Sequence, residues 1–100
     1  VRLCRFLCEQ HREYVLSQQM LRSGTSIGAN VREAQRAQSR KDFVAKLTIA
    51  LKEAYETEYW LELLHDNNYL TKEQFDSIFK DCRDLTNVLS RIVISSKSQE

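Results

Sequence analysis

One stretch of this chain, TKEQFDSIFKDCRDLTNVLSRIV at residues 71–93, decides the fold most clearly. Its apolar residues recur every three or four positions, which places them on one side of an α-helix with 3.6 residues per turn. The apolar stripe comprises Phe75, Ile78, Phe79, Cys82, Leu85, Leu89, Ile92 and Val93. Thr71 and Gln74 have the spacing of a capping box, so we predict that the helix begins here. The polar residues from Ser95 onward predict a frayed end.

A second long helix is predicted upstream, from an N-cap at Ser39 to about Asp66. Asp42 follows Ser39 at the spacing of a capping box, with Asp in place of the usual Glu. Asn67 and Asn68 tolerate the left-handed backbone that commonly ends a helix. The predicted inner face comprises Phe43, Leu47, Ala50, Leu51, Ala54 and Leu61.

Two further helices are predicted in the first part of the chain, over residues 1–12 and 18–38, with a connection between them in which Ser17 is the N-cap. The second of them contains Gly24 and Gly28, each of which costs about 1 kcal/mol relative to Ala. We therefore predict that a neighbouring helix approaches closely here, the alternative being a loop through residues 23–26. Because the helical pattern is already running at Val1, we expect the natural chain to begin earlier.

The composition agrees with a helical domain. The chain has 100 residues, of which 42% are hydrophobic, with no Pro and only two Gly to form the turns of a β fold. We predict an all-α single domain over residues 1–100, an antiparallel up-and-down four-helix bundle. No apolar run reaches the length of a membrane span, and three cysteines are too few for a disulfide framework, so we expect a cytoplasmic protein with reduced thiols.

The candidates for catalysis and metal binding are few. Cys4, Cys8 and His11 share one helical face, and Cys82 faces them in principle, which is a possible zinc ligand set. Reduced cysteine is also a common small buried residue, and this interpretation is favoured because paired ligand spacings are missing. No oxyanion hole or inward Glu-x-x-His pair accompanies these residues. We therefore predict no enzyme, no metal and no cofactor.

Glu58 differs from the other acidic residues of the third helix because it falls on the apolar face. An unpaired carboxylate there would cost several kcal/mol, so Glu58 needs a partner. Asn30 and Arg22 on the second helix are the candidates. We predict a buried polar network of Asn30 and Glu58 that fixes the register of the helices, in preference to a catalytic role.

The third helix also carries a second apolar face, roughly opposite the first. A helix that is apolar on two sides is usually buried on both, and Trp and Tyr are frequent interface residues. We predict that this face forms a homo-oligomer, with a groove for the helix of another protein as the alternative. The predicted interface comprises Ala45, Ile49, Tyr59, Trp60 and Leu63.

Positive charge is concentrated in the first half of the chain. Residues 1–50 carry nine Lys or Arg against four Asp or Glu, whereas residues 51–100 carry six against ten. Arginine matches the geometry of phosphate, so the basic side of the second helix and the residues after it are predicted to bind nucleic acid. The alternative is an ordinary solvated helix face. The candidates are Arg22, Arg32, Arg36, Arg40, Lys41 and Lys46.

Three stretches carry a resemblance to a known family: LRSGTSIGANVREA at 21–34, Asp42-Phe43, and ALKEAYETEYWL at 50–61. They resemble the four-helix-bundle proteins encoded by intervening sequences within bacterial 23S ribosomal RNA genes. Where that family commonly has Asn-Ile-Ala-Glu-Gly, this chain has Asn30-Val31-Arg32-Glu33-Ala34. The resemblance implies a left-handed bundle, often a ring of five protomers, with no known catalytic constellation.

A related branch of that family comprises accessory proteins of diversity-generating retroelements, which associate with nucleic acid and a reverse transcriptase. The resemblance therefore implies RNA or DNA, and a reverse transcriptase, as partners. Taken with the basic residues, it predicts a non-enzymatic oligomer that binds nucleic acid weakly and without strong sequence preference. The alternative is a structural scaffold that binds only protein.

Overall fold

The computed structural model describes residues 1–11 and 13–98, and helices account for most of them. The helices are α1 (Arg2–Phe6), which continues as a π-helical segment (Leu7–His11), α2 (Val15–Gln35), α3 (Arg40–Asp66) and α4 (Lys72–Lys97). No strand occurs among the described residues, which confirms the predicted all-α class. None of these helices combines the length and the apolar character needed to cross a membrane.

The start of α2 differs from the prediction. The helix begins at Val15, and Ser17 lies buried inside it, so Ser17 is not the N-cap. The carboxylate of Glu13 accepts hydrogen bonds from the backbone N–H groups of Leu16 (2.5 Å) and Ser17 (3.3 Å), which have no partner within the helix. The Ser17 hydroxyl donates instead to the carbonyl of Cys4, at 3.3 Å, and ties α1 to α2. Arg12, the predicted end of the first helix, lies outside the described residues.

The other predicted caps are confirmed. The Ser39 hydroxyl accepts from the backbone N–H of Asp42 at 3.0 Å. Thr71 and Gln74 form both hydrogen bonds of a capping box, at 3.1 and 3.0 Å. Asn68 adopts a left-handed backbone with φ of 65°, which reverses the chain after α3. The predicted fraying from Ser95 is wrong by about one turn, since α4 continues to Lys97.

Helix α3 is the centre of the bundle, and it packs against both α2 and α4. Ser23 of α2 meets Thr57 near the far end of α3, with 2.8 Å between their hydroxyl oxygens, so these two helices run antiparallel. The Thr86 hydroxyl of α4 donates to the carboxylate of Glu58 on α3 at 2.7 Å, and α3 and α4 also run antiparallel. One core cluster joins all three helices, and it comprises Ile27, Ala34, Leu47, Ala50, Ala54, Leu89 and Val93. The left-handed sense of the bundle stays a prediction.

The two glycines do not mark a close helix contact, so that prediction is wrong. Gly24 and Gly28 lie within α2, which also excludes the alternative loop, but a Cβ added at either position would meet no atom within 4 Å. Both glycines line an open apolar groove of about 640 Å³ between α2 and α4. The groove exists because α2 and α4 each pack on α3 and only weakly on each other. Leu85, predicted to be a core residue of α4, lines this groove and consequently remains 38% exposed. Ile92, another predicted core residue, is also 38% exposed, at a separate cavity nearer the end of α4.

This geometry predicts that Gly24→Ala and Gly28→Ala stabilise the protein. Each substitution removes the conformational cost of a glycine in a helix and meets open space, so we expect a gain of about 0.5 to 1 kcal/mol per site. The measurement is the urea midpoint at constant m-value. Ala29→Gly, at an exposed position of the same helix, is the matched control and should lose a similar amount. A loss of stability in both alanine variants would show that another helix packs on these glycines in solution.

Candidate functional site

The antiparallel topology gathers basic residues at one end of the bundle. The end of α2, the start of α3 and the end of α4 meet there, as the cluster containing Ala34, Leu47 and Val93 shows. We call this region, residues 29–50 and 86–98, the turn end. Residues 29–50 carry five Lys or Arg against two Asp or Glu, and residues 86–98 carry two against none. The rest of the chain carries more acidic than basic residues. The turn end of the 46 Å long molecule is therefore positive, and the remainder is negative.

The cations of the turn end have no carboxylate partners in the part of the chain that is described. None of them forms an ion pair within 4.0 Å, whereas four of the seven described cations elsewhere do, namely Arg22, Lys72, Lys80 and Arg83. Arg2, Arg5 and Lys52 are likewise without an ion pair, but they are scattered along the acidic remainder of the chain. Five of the six predicted nucleic-acid-binding residues belong to this unpaired set. They are Arg32, Arg36, Arg40, Lys41 and Lys46, of which only Lys46 is half-buried.

Arg22 is the exception among the six. Its guanidinium donates to Glu53, at 3.3 Å, and to Glu56 on α3, and it lies more than a helical turn before the turn end. The hydrogen bond to Glu56 raises the pKa of Arg22 and lowers the pKa of Glu56. Arg22 therefore links α2 to α3 with its charge balanced, and it is poorly placed to hold a phosphate.

Two basic residues of the turn end were missed by the sequence analysis. Arg91 and Lys97 are exposed on α4, and neither has an ion-pair partner among residues 1–11 and 13–98. Both residues lie in the second half of the sequence, where acidic residues outnumber basic ones. Counting charge separately for each half therefore does not reveal them. The signal that would have found them is the topology, because an antiparallel α4 returns its C-terminal turns to the start of α3.

Glu58 is buried, as predicted, but its predicted partners are wrong. Its side chain accepts from the Thr86 hydroxyl at 2.7 Å and from the Arg83 guanidinium at 2.9 Å, both on α4. Asn30 donates instead to the carbonyl and hydroxyl of Ser26 on its own helix, so the network of Asn30 and Glu58 does not form. The reason is register. With Ser23 beside Thr57 in antiparallel helices, Asn30 lies level with residues near 50 of α3.

We expect Glu58→Ala to destabilise the protein by about 2 to 4 kcal/mol, because Thr86 and Arg83 lose a buried acceptor. Chemical denaturation at neutral pH measures the change. Glu62→Ala, one turn further along α3 and exposed, is the matched control and should change stability by less than about 0.5 kcal/mol. An unchanged midpoint for Glu58→Ala would mean that its carboxylate is solvated in solution.

The five residues predicted to form the oligomer interface of α3 differ in their exposure. Ala45, Ile49 and Tyr59 are exposed, the last two by 42% and 54%. Trp60 and Leu63 are half-buried, and the Trp60 indole packs on the core of its own chain. The indole N–H also donates to Glu56 at 3.2 Å. Tyr55, which the sequence analysis did not select, adds a 50% exposed aromatic ring to α3.

The cysteines are held by backbone groups. Cys4 is buried and donates to the carbonyl of Ser17, and Cys82 donates to the carbonyl of Ala54. Burial, reinforced by the charge of Glu58, raises the pKa of Cys82 to about 11, so its thiol is protonated at neutral pH and is a poor nucleophile. No group of three His, Cys, Asp or Glu with metal-binding geometry occurs in the described ranges.

Comparison with known proteins identifies the type of bundle. Residues 1–91 match the family model described as 23S rRNA-intervening sequence protein. A crystal structure of a protein of unknown function from the S23 ribosomal protein family of Bacteroides thetaiotaomicron is 56% identical and superposes with a TM-score of 0.90. The match covers 92% of this chain and 82% of that chain. No curated protein matches the chain significantly.

Proposed function

This chain belongs to the 23S rRNA-intervening sequence protein family, and we propose that it is a non-enzymatic, self-associating bundle that binds RNA or DNA weakly through its turn end. The observation that carries the proposal is the set of cations at the turn end without ion-pair partners in the described chain. Unpaired Arg and Lys side chains are free to replace the counterions of a phosphate backbone. The release of those counterions supplies most of the affinity in sequence-independent binding.

The arrangement favours contacts to phosphates over reading of base edges in a duplex groove. Arg32, Arg36, Arg40 and Lys41 are exposed around the end of α2 and the start of α3, and within residues 1–11 and 13–98 no strand or separate recognition helix projects beyond them. Long side chains on a rigid platform follow a phosphate backbone without fixing a base sequence. We therefore propose that the affinity depends steeply on salt and little on sequence.

Arg32→Ala combined with Arg36→Ala should weaken binding to all RNA and DNA sequences alike. Removal of two phosphate contacts should lower the slope of log K against log salt by about 1.4 for a single strand. Fluorescence anisotropy with labelled RNA and DNA of several sequences, over a salt series, measures both quantities.

The matched control removes two cations that already have partners. Lys72→Ala with Lys80→Ala removes the same charge from α4, where Lys72 pairs with Asp76 and Lys80 with Asp84. This control should leave the salt slope nearly unchanged. If both double variants lose the same affinity, the effect is one of net charge only. If the wild-type protein binds neither RNA nor DNA at low salt, only the proposed assembly function remains.

A scaffold function without nucleic acid is the second candidate, because α3 keeps exposed apolar side chains along its outer side. Ile49 and Tyr59 lie on the side of α3 that faces away from its core contacts with α2 and α4, and Tyr55 is exposed at the edge of that side, near Arg83 of α4. We propose that this side contacts another copy, in a ring of five as the family resemblance implies. A reverse transcriptase partner, implied by the same resemblance, stays a prediction.

Ile49→Ser combined with Tyr59→Ser should reduce the oligomer to smaller species while the helix content is kept. Light scattering at tens of micromolar gives the mass, and circular dichroism gives the helix content. Val88→Ser with Ile94→Ser removes comparably exposed apolar residues from α4 and should leave the mass unchanged. A wild-type chain that is monomeric at this concentration would disprove self-association.

A further inference from the structure

The open groove between α2 and α4 has the walls of a surface on which a helix packs. Apolar side chains dominate the lining, and Asp81 is the only charged residue that borders it among the described residues. Thr25 and Thr57 also line the groove, but each hydroxyl donates to a carbonyl of its own helix. Leu21 and Leu85 are 41% and 38% exposed on its two sides. The groove therefore offers an occupant apolar surface and almost no polar group.

The groove lies at the corner of the bundle that belongs to α1. Helices α2, α3 and α4 contain 21, 27 and 26 residues, whereas α1 contains five and its π-helical continuation another five. The helices of an up-and-down bundle normally pack along their whole length. Since α1 contacts only part of α2, the fourth corner is filled at one end and open along the rest.

The groove continues the line of α1. The Cys4 thiol donates to the carbonyl of Ser17, so α1 lies beside the start of α2. From there the groove passes Val1 and runs along α2 from Leu21 to Val31. At 1.5 Å per residue this length is about 15 Å, which equals about ten residues of helix. A helix that continues α1 upstream therefore runs along the groove.

Two glycines open the α2 side of the groove to close approach. Gly24 and Gly28 are exposed one turn apart, and a Cβ at either position would meet no atom within 4 Å. Glycine allows another backbone to come close, but it costs stability in a helix that nothing contacts. A helix docked in the groove gives both glycines a structural reason.

The start of α1 is compatible with an upstream continuation. Among the described residues no side chain caps this start, whereas Glu13, Ser39 and Thr71 cap the other three helices. The first backbone N–H groups of α1 are therefore available to the carbonyls of a preceding helical turn.

From these observations we propose that residues preceding Val1 in the natural chain continue α1 as an amphipathic helix that docks in the groove. Its apolar side chains recur every three or four positions, in phase with Val1 and Cys4. Continuity with the contact between α1 and α2 selects this occupant, because a helix from another chain would have to meet α1 end to end. The solved relative also has residues outside the part that matches this chain.

The docked helix completes the four-helix bundle and reaches Val31, at the border of the turn end. Its first residues then join the surface that is proposed to bind nucleic acid. The packing argument does not depend on that proposed function, and the two are tested by separate measurements.

The test measures access to the groove in the natural chain, with its residues before Val1. Leu21→Cys and Gly28→Cys each place a thiol in the groove, whereas Ala29→Cys places one on an exposed side of α2 outside it. Maleimide labelling, resolved by peptide mass spectrometry, separates these thiols from the native cysteines. We expect both groove thiols to react at least about tenfold more slowly than the control, because the docked helix covers them.

A proline at Arg2 decides whether the helix continues through α1. Arg2 is the first residue of α1, a position where proline is well tolerated, whereas proline in the interior of a longer helix breaks it. In the natural chain we therefore expect Arg2→Pro to expose the thiol of Leu21→Cys to labelling. Arg2→Ala is the matched control and should leave that thiol protected. Circular dichroism checks that the remaining helices stay folded.

Three results would overturn the proposal. The first is equal labelling at all three positions, which means an open groove in the natural chain. The second is protection that disappears on dilution, or that persists in a chain cut to begin at Val1, because a second copy or another part of the protein then covers the groove. The third is protection that Arg2→Pro leaves unchanged.

The stability of the glycine variants gives an independent check. The gain expected for Gly24→Ala and Gly28→Ala applies to residues 1–100, where the groove is open. In the longer chain the docked helix should remove that gain, because each added methyl group then meets a packed neighbour. The same gain in both chains would contradict docking on the glycines.

Discussion

The buried carboxylate of Glu58 is the constraint on which the arrangement of α3 and α4 depends. A charge in the core is tolerated only where donors reach both of its oxygens, and here Thr86 and Arg83 provide them. A shift of α4 by one turn would move both donors by about 5 Å and leave the carboxylate unsatisfied. With apolar contacts alone, such a shift would cost less free energy, because apolar side chains recur at each turn and the next one would occupy the same place. The polar contact therefore selects one register from several that pack similarly.

A weaker polar contact performs the same task on the other side of α3, where the hydroxyls of Ser23 and Thr57 meet. Both contacts involve α3, and no corresponding hydrogen bond among the described residues joins α2 to α4. This explains the open groove and the exposed positions of Gly24 and Gly28. The same registers bring the cations of α2, α3 and α4 together, so the charge distribution of the molecule follows from the contacts that align its helices.

The helices and most of their caps were predictable because those signals are local. The capping box of Thr71 and Gln74 and the left-handed Asn68 depend on residues within a few positions. The errors concern contacts between helices. Ser17 is a residue type that often caps helices, but its hydroxyl donates to the carbonyl of Cys4. Asn30 lies too far along α2 to reach Glu58 and donates to Ser26 instead. Arg91 reaches the turn end only because the chain reverses direction between α2 and α3 and again between α3 and α4. Helical phase identified Glu58 as buried, but the choice between partners on α2 and α4 required the packing.

The position of the exposed α3 side relative to the turn end has a consequence for binding strength. Ile49, Tyr55 and Tyr59 lie along the helix, about 15 Å apart from first to last at 1.5 Å per residue, so contact through them places protomers side by side. In a cyclic ring whose axis follows the helices, all turn ends point in the same direction. Each protomer of the proposed ring would then add its unpaired cations to one face. In the proposed assembly, linked weak sites would act together on one strand, so the affinity of the ring for a long strand would exceed the affinity of a single turn end.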